Sequence, residues 1–318
     1  MKIDVPSAVV ILKELDNIQI LMHRNPDGDT IGCAFALWAA LSSLNKTVSI
    51  GCCDAIPGMY NYLSEYYENN KSSFIPSNIV SVDSGSRSQL GSIIDADTEI
   101  ILSIDHHGSN TLYAANNVVE AAYASCAEIV YEIILKLYVE IDSYIGSAIY
   151  TGVSTDTGCF KYRNTTSNAH IVAAELLKSG MNLGFLNRVL FESKTKEFLK
   201  LQQMALSSLK FYYDDKIAVT TVTREMFIIS GASDEDMTNI SPISRAIEGV
   251  EVGLTFRQTP KGTIKCSVRS SPLVDASEVC RLFGGGGHHG SAAFECSGDM
   301  GDIQAKTIAT VIEFLQPK

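Results

Sequence analysis

The chain has 318 residues, of which 46% are hydrophobic and 19% are charged, a composition typical of a folded globular protein and not of a disordered one. Its net charge of −11 argues against a protein that holds long nucleic acid by neutralising phosphates. No apolar run reaches the roughly 20 residues of a membrane helix and no segment resembles a signal peptide, so we expect a cytoplasmic protein without a membrane partner.

The acidic residues are concentrated in the first part of the chain. Residues 1–190 carry 11 basic and 20 acidic side chains, whereas residues 191–318 carry 14 and 16. Carboxylates concentrated in one region suit the binding of cations. A solvated acidic surface would give the same composition, so the charge alone leaves both interpretations open.

Short apolar runs alternate with amphipathic segments over the first 190 residues. The predicted strands are residues 18–23, 47–53, 78–83 and 99–105, and the predicted helices are residues 32–44, 125–139, 143–153 and 168–179. This alternation predicts an α/β fold, an open and mainly parallel sheet with helices on both faces. Ligands bind such sheets at the carboxyl ends of the strands, where Asp27, Asp83 and Asp105 would lie.

The pattern changes after residue 190. A charged helical stretch is followed by the strand-like run KIAVTTV, by a hairpin over residues 250–271 with a Pro-Lys-Gly turn, and by helices at residues 274–283 and 301–315. These elements predict a smaller α+β domain. We therefore expect an N-terminal domain at residues 1–190, a helical connector at 191–212 and a C-terminal domain at 213–318.

A dense polar motif, HRNPDGD, follows the first predicted strand. Pro26 and Gly28 would form a tight turn that lets His23, Asp27 and Asp29 converge. One imidazole and two carboxylates suit Mn²⁺, Fe²⁺ or Co²⁺ better than Mg²⁺ alone. Asp29 could instead be the N-cap of the helix that follows.

Further candidate ligands follow later strands and helices. Asp83 closes NIVSVD, where an Asp is also common as a turn former, and Asp105, His106 and His107 close the next strand. Adjacent histidines point in different directions, so one can bind metal while the other faces substrate. Asp156 follows an apolar helix, where a buried carboxylate needs a partner or a metal. The candidate metal ligands are thus His23, Asp27, Asp29, Asp83, His106 and Asp156.

Six such donors are enough for two metal ions that share a bridging carboxylate and clamp a phosphoryl group. In the C-terminal part, the run Gly284–Gly287 would leave its backbone N–H groups free to approach phosphate oxygens, and Arg269 offers a bidentate fork. Glycine-rich runs alone are usually flexible loops, and the flanking Arg and His favour phosphate binding over that alternative here. Arg87 and Arg163 lie beside candidate ligands, as phosphate contacts or as members of surface ion pairs.

These motifs occur in the order and context of a known family. HRNPDGD, the strand-final Asp83, IDHHGSN and TGVSTDTGCF resemble the four motifs of the DHH phosphoesterase superfamily. SVRSSPLVDASEVCRLFGGGGHHGSAA resembles the glycine-rich signature of the DHH-associated C-terminal domain, with Ala293 where that signature usually has glycine. The chain length is similar to that of the NrnA-like branch, which comprises nano-RNases and 3′-phosphoadenosine 5′-phosphate (pAp) phosphatases.

The resemblance implies a role for each matching residue. The six candidate ligands would hold two divalent ions, with Mn²⁺ as the metal and Asp83 as the bridge. Asp105 would orient a histidine, and His107 would contact the scissile phosphate and protonate the leaving oxygen. The implied substrate ligands are Arg269, Ser270, Gly284, Gly285, Gly286, Gly287 and His288.

The resulting hypothesis is a hydrolase with its active site in the cleft between the domains, where a hydroxide bridging two Mn²⁺ ions attacks phosphorus in line. Expected substrates are RNA oligonucleotides of two to five nucleotides or pAp, not long duplexes, and the family suggests a homodimer. One alternative is a phosphodiesterase for cyclic dinucleotides or linear pApA. Another is a nucleotide-binding regulator that has lost catalysis, although the intact ligand positions speak against it. A family II inorganic pyrophosphatase would lack the glycine-rich signature.

Overall fold

The structure is a computed structural model that describes residues 1–95 and 97–316. The contacts within the chain divide it into two compact units, Met1–Ser193 and Lys194–Lys318. Among the described residues, no helix combines the length and the apolar character that crossing a bilayer requires.

The first unit is built on a parallel sheet. Its strands are β1 (Ile18–Leu21), β2 (Val48–Gly51), β3 (Asn78–Val82), β4 (Leu102–Asp105) and β5 (Asn116–Val119). Its helices are α1 (Val5–Glu14), α2 (Gly28–Ser43), α3 (Asn61–Asn70), α4 (Cys126–Lys136), α5 (Ser143–Asp156), α6 (Ser167–Leu176) and α7 (Leu183–Asn187). The strand order is β2-β1-β3-β4-β5, and every neighbouring pair is parallel. This confirms the predicted α/β class.

Both faces of this sheet are covered. The larger core joins the strands to helices α1–α6 and contains the fully buried Phe35 and Leu37 of α2. On the other face, Leu21 and Ile100 pack against the 3₁₀ helix Arg87–Ile93. Burial of these apolar side chains is the main driving force that holds the strand ends in place.

The second unit contains a mixed sheet. Its strands are β6 (Lys210–Tyr212), β7 (Ile217–Val222), β8 (Val252–Gln258), β9 (Ile264–Ser270), β10 (Gly286–His288) and β11 (Ser291–Cys296). Its helices are α8 (Lys196–Ser207), α9 (Arg224–Ser230), α10 (Met237–Ile240), α11 (Ala276–Arg281) and α12 (Met300–Leu315). The strand order is β10-β11-β9-β8-β7-β6, with β7 and β8 parallel and the other pairs antiparallel. The predicted β8–β9 hairpin is confirmed.

The two faces of the second sheet differ in chemistry. Phe256, Val268 and Phe294 point into a core that also contains residues of α11 and α12. The alternate positions Thr255, Ser267 and Ser291 line a polar pocket on the opposite face. Successive side chains of a strand point to opposite faces, so one face of this sheet builds a core and the other is available to a ligand.

Some predicted boundaries are wrong. Helix α2 begins at Gly28, four positions before the predicted start at Gly32, because Asp27 caps it. Strand β4 begins at Leu102 instead of residue 99. Strand β5 was not predicted from its sequence NNVV, since it is four residues long and half of it is Asn, a residue depleted in strands.

Candidate active site

The candidate ligands of the first unit gather at the carboxyl edge of the parallel sheet. Strand β1 lies between β2 and β3, so the connections that leave β1 and β3 diverge and open a crevice at this edge. His23 and Asp27 follow β1, Asp83 follows β3 directly, and Asp105 is the last residue of β4. The topology therefore places these side chains at the switch point of the sheet.

The segment after β1 is fixed by the start of helix α2. Oδ1 of Asp27 accepts hydrogen bonds from the backbone N–H groups of Asp29 and Thr30 at 3.1 and 3.2 Å. Asp27 is thus the N-cap, and the alternative that Asp29 caps this helix is wrong. A Cβ atom at Gly28 would lie 2.4 Å from Oγ1 of Thr155, so this glycine permits the close approach of α2 to the end of α5.

Asp29 is fully buried and points at the N-terminus of a different helix. Its Oδ2 accepts a hydrogen bond from the N–H of Cys126 at 2.6 Å, and its Oδ1 accepts one from Ala127 at 2.9 Å. These two N–H groups belong to the first residues of α4, and the helix dipole favours a negative charge at that end. Burial, followed by repulsion from Asp83 and Asp156, nevertheless raises the pKa of Asp29 well above its usual value.

Asp83 lies at the centre of the cluster. Its backbone is in the left-handed region with φ of 51°, which is unusual for an Asp, and its side chain is only 3% exposed. Oδ2 lies 3.5 Å from Nε2 of His23, whereas Oδ1 lies 3.6 Å from Nε2 of His106 and 3.7 Å from Nδ1 of His107. Burial raises the pKa of this carboxyl group.

One oxygen of Asp83 has no hydrogen-bond partner. Among the described residues, Oδ1 is buried without any donor within hydrogen-bond distance. An unpaired buried oxygen costs roughly 1–3 kcal/mol, and more when it is charged. A cation beside Oδ1 would remove that cost.

His106 connects Asp83 to the end of helix α5. Its Nε2 lies 3.3 Å from Oδ2 of Asp156 and 3.8 Å from Oδ2 of Asp29. Burial, reinforced by the negative charges of Asp83 and Asp27, raises the pKa of Asp156 to about 8. These carboxylates repel one another, which again favours a bound cation.

His23 is also held between carboxylates. Its Nε2 lies 3.5 Å from Oδ1 of Asp27 as well as from Asp83, and its Nδ1 lies 2.9 Å from the carbonyl oxygen of Arg24. Burial lowers the pKa of His23, but the contacts with Asp27 and Asp83 outweigh it and raise the pKa to about 11. A proton on His23 and a metal ion would compete for the same nitrogen.

His107 is held by a separate network. Its Nδ1 lies 2.7 Å from Oδ1 of the fully buried Asp105, and Asn110 donates to Oδ2 of Asp105 at 2.6 Å and to the carbonyl of Ser84 at 3.2 Å. The contact with Asp105 raises the pKa of His107 to about 9. Because Nδ1 faces Asp105 and the side chain is 43% exposed, Nε2 is the nitrogen left for a ligand.

Asn110 was missed by sequence reasoning. It lies within the motif IDHHGSN, but an Asn in a short polar turn is common and carries no signal of its own. Its contribution is visible only in the structure, where it donates a hydrogen bond to Asp105, the residue whose other oxygen contacts His107.

The structure brings all six predicted ligands close together. Three groups of side chains each bring ligand atoms within 4.8 Å of one another: His23, Asp27 and Asp83; Asp83, His106 and His107; and Asp29, His106 and Asp156. Asp83 and His106 each belong to two groups. Oxygen and imidazole donors of this kind, with an unpaired oxygen at their centre, fit a divalent transition metal.

The predicted substrate residues lie in the second unit. Arg269 lines the polar pocket of about 460 Å³ together with Gly286 and Gly287, and its Nη1 donates to the carbonyl of Val268 at 3.3 Å. The hydroxyl of Ser270, at the end of β9, donates to the carbonyl of His289 at 3.1 Å. His288 is exposed at the end of the edge strand β10.

The glycine run is not a free loop. The N–H groups of Gly284 and Gly285 donate to the carbonyls of Arg281 and Cys280 at the end of α11, at 3.1 and 2.9 Å. The expectation that all four glycine N–H groups are free is therefore wrong for these two. The rest of the run belongs to β10, which among the strands that the structure describes pairs only with β11, so its other edge has no strand partner there.

Ala293 lies opposite a glycine of the neighbouring strand. Its partner across β10 is Gly286, which has no side chain, and a Cβ atom built at Gly286 would meet nothing within 4 Å. Ala293 lines the pocket, so the methyl group that replaces the usual glycine belongs to the pocket wall.

The two additional arginines differ from each other. Nη2 of Arg87 donates to the carbonyl oxygens of Asp95 and Thr98, both at 2.7 Å. Its guanidinium therefore links Arg87 to the segment that follows it in the chain. Arg163 is exposed. Neither forms an ion pair with the side chains that the structure describes, and a phosphate contact remains a prediction for both.

Known proteins resemble this chain over most of its length. The model of the DHH family, N-terminal domain, matches residues 17–153. The chain is 30% identical over 311 residues to a bifunctional oligoribonuclease and PAP phosphatase NrnA from Thermus thermophilus, a match that covers 96% of this chain and 92% of the relative. It is 25% identical over 281 residues to a probable NrnA from Streptococcus mutans, covering 87% of this chain and 88% of the relative.

The fold also matches a solved structure. An exopolyphosphatase-related protein from Bacteroides fragilis has a TM-score of 0.83 at 23% identity, and the match covers 98% of this chain and 95% of that protein. DHH proteins depend on divalent metal ions, which the donor set around Asp83 fits. The chain therefore belongs to the DHH phosphoesterase family and is a hydrolase that acts on phosphate ester bonds.

Proposed function

We propose that this chain is a Mn²⁺-dependent phosphoesterase that hydrolyses RNA oligonucleotides of two to five nucleotides and pAp. The observation that carries the proposal is the cluster of acids and histidines around Asp83, with its unpaired Oδ1. The similarity to relatives named as oligoribonuclease and PAP phosphatase supports the choice of substrate.

Six residues would hold two divalent ions. They are His23, Asp27, Asp29, Asp83, His106 and Asp156. The imidazole donors favour Mn²⁺ over Mg²⁺. Two neighbouring ions, when bound, lower the pKa of water and neutralise charge on phosphate oxygens. Asp83 would serve both ions because its two oxygens face different histidines, at 3.5 and 3.6 Å.

His107 would act on the leaving group. Asp105 fixes Nδ1 and raises the pKa of the ring to about 9, which favours a proton on Nε2 of His107 at neutral pH. A partly exposed N–H of this kind can bind a phosphate oxygen and donate its proton to the departing alkoxide. Asp105 and Asn110 would keep the ring in that orientation.

The second unit would bind the nucleotide. Arg269, Ser270 and His288, with the glycine run Gly284–Gly287, are the proposed contacts. Arg269 already lines a polar pocket large enough for part of a nucleotide. The net charge of −11 disfavours long nucleic acid, which supports a short substrate.

A comparison of substrates tests the proposal. Purified full-length protein with Mn²⁺ should release phosphate from pAp and mononucleotides from pApA and from a 5-mer RNA, with much slower attack on a 24-mer. Cyclic-di-AMP belongs in the same assay, because faster hydrolysis of it than of pApA would favour the cyclic-dinucleotide alternative. Absence of turnover of both pAp and short RNA would contradict the proposal.

A further inference from the structure

One strand of the second sheet presents a row of polar side chains to the pocket. Lys265, Ser267 and Arg269 alternate along β9 with buried apolar residues, so all three leave the same face. All three line the pocket of about 460 Å³. Ser267 lies between Thr255 of β8 and Ala293 of β11, whose small side chains leave space above it.

We propose that Lys265, Ser267 and Arg269 form a row of subsites for successive phosphates of one oligonucleotide. This inference adds Lys265 and Ser267 to the substrate-binding residues, and it rests on the proposed function. The row would select a chain with several phosphates over a small bisphosphate.

The spacing of the row fits a nucleotide chain. At about 3.3 Å per residue, the Cα atoms of Lys265 and Arg269 lie roughly 13 Å apart. Neighbouring phosphates are joined by six single bonds of about 1.5 Å each, which zigzag to a span of roughly 7 Å. Arg269 and Lys265 are therefore two phosphate steps apart, and Ser267 is positioned to donate its hydroxyl to the phosphate between them.

Lys265 differs from the neighbouring cation Arg257. Arg257 lies opposite Lys265 on β8, and its Nη1 is bound to Oδ1 of Asp234 at 2.6 Å. Lys265 forms no ion pair with any side chain that the structure describes. Glu295, its partner on β11, instead accepts a hydrogen bond from the hydroxyl of Thr263. The charge of Lys265 is thus available to an anionic ligand.

The row distinguishes the two proposed kinds of substrate. The two phosphates of pAp are one step apart, about half the distance between the Cα atoms of Arg269 and Lys265, so pAp matches this pair less well than a longer chain does. A 5′-phosphorylated tetranucleotide has four phosphates, enough for the three positions of the row and for the bond that is cleaved. The proposal therefore names oligonucleotides of about four residues as the ligands that use the whole site.

The test compares pApApApA with pAp in the full-length protein. Lys265→Ala should weaken equilibrium binding of pApApApA in EDTA, and raise its KM with Mn²⁺, by about 10-fold. Binding and KM for pAp, and kcat for both, should change less than about 2-fold. Lys265→Arg should restore most of the affinity. Lys261→Ala, which removes a lysine from the exposed β8–β9 turn, is the matched control.

The outcomes separate this inference from the proposed function. Equal effects of Lys265→Ala on both ligands, or no effect on either, would overturn the phosphate row. If the wild-type protein hydrolyses neither ligand but loses tetranucleotide binding with Lys265→Ala, the proposed function fails while the row stands. Comparable weakening by Lys261→Ala would show a general charge effect and would also overturn the inference.

Discussion

The buried cluster of the first unit and the polar sheet face of the second carry opposite charges in different environments. Asp29, Asp83 and Asp105 are buried carboxylates, in a region with 20 acidic and 11 basic side chains over residues 1–190. Lys265 and Arg269 are partly exposed cations on an open strand face. Buried like charges require a counter-charge, whereas exposed cations do not. The first region therefore favours a bound cation, whereas anion binding by the second is a proposal that requires no metal.

The largest effect should come from the centre of the first region. Asp83→Ala removes the carboxylate that belongs to two of the three donor groups, so we expect no measurable hydrolysis of pAp or pApA with Mn²⁺. Glu140→Ala, which removes an exposed acid of the same unit, is the control and should leave turnover unchanged. Full activity of Asp83→Ala would contradict the metal assignment.

His107 belongs to the first region but is proposed to act by donating a proton to the leaving oxygen and not by holding metal. His107→Ala should lower kcat for pApA by roughly 10²–10⁴-fold. The loss should be much smaller for a p-nitrophenyl phosphodiester, whose leaving group needs little protonation. His170→Ala, a surface histidine on α6, serves as the control. Equal losses on both substrates would show that His107 does not act on the leaving oxygen.

Asn110 should have a smaller effect of the same kind. Its amide holds Asp105 at 2.6 Å, so Asn110→Ala should loosen the orientation of His107 and lower kcat by roughly 10–100-fold, with KM nearly unchanged. The loss should again shrink on the p-nitrophenyl ester. A loss of thermal stability with an unchanged kcat would indicate a purely structural role.

The pH dependence of stability should separate the metal-free protein from the metal-bound one. The pKa of Asp156 is raised from 3.8 to about 8, so the metal-free native state holds a proton that the unfolded chain releases. The free energy of unfolding of the metal-free protein should therefore fall as pH rises from 3.8 to about 8. Bound metal replaces that proton, so the gain in Tm on adding Mn²⁺ should grow with pH.

Differential scanning fluorimetry in EDTA and in Mn²⁺ would measure this change of a few degrees. Asp156→Asn should flatten the slope of Tm against pH in EDTA. A gain in Tm that falls as pH rises would contradict the description of a cluster held together by a cation.

The sequence predicted the cluster well because its signals are local. An Asp or His directly after a buried strand must lie at the carboxyl edge of a parallel sheet, and this placed Asp83, His106 and His107 correctly. The roles of the residues remain proposals. What local signals could not decide was the function of Asp29, since its partners at the start of α4 are almost one hundred positions away along the chain.

The second unit was harder to anticipate. A run of four glycines carries no side-chain pattern, so its pairing as an edge strand depends on β11 and on the end of α11. The shared pocket face of Lys265, Ser267 and Arg269 could not be predicted for a related reason. The alternation of a strand shows which residues share a face, but not which face the helices cover. Arg87 likewise bonds to carbonyls of its own loop, which no spacing rule predicts.

The most direct test of the central claim is the stoichiometry of metal binding. Equilibrium dialysis of the full-length protein against Mn²⁺ at pH 8, followed by metal analysis, should find two ions per chain in the wild type. The Asp83→Asn variant, which keeps the shape of the side chain but loses its charge, should retain fewer. A wild-type protein that binds no Mn²⁺, or an Asp83→Asn variant that binds both ions as tightly, would contradict the account.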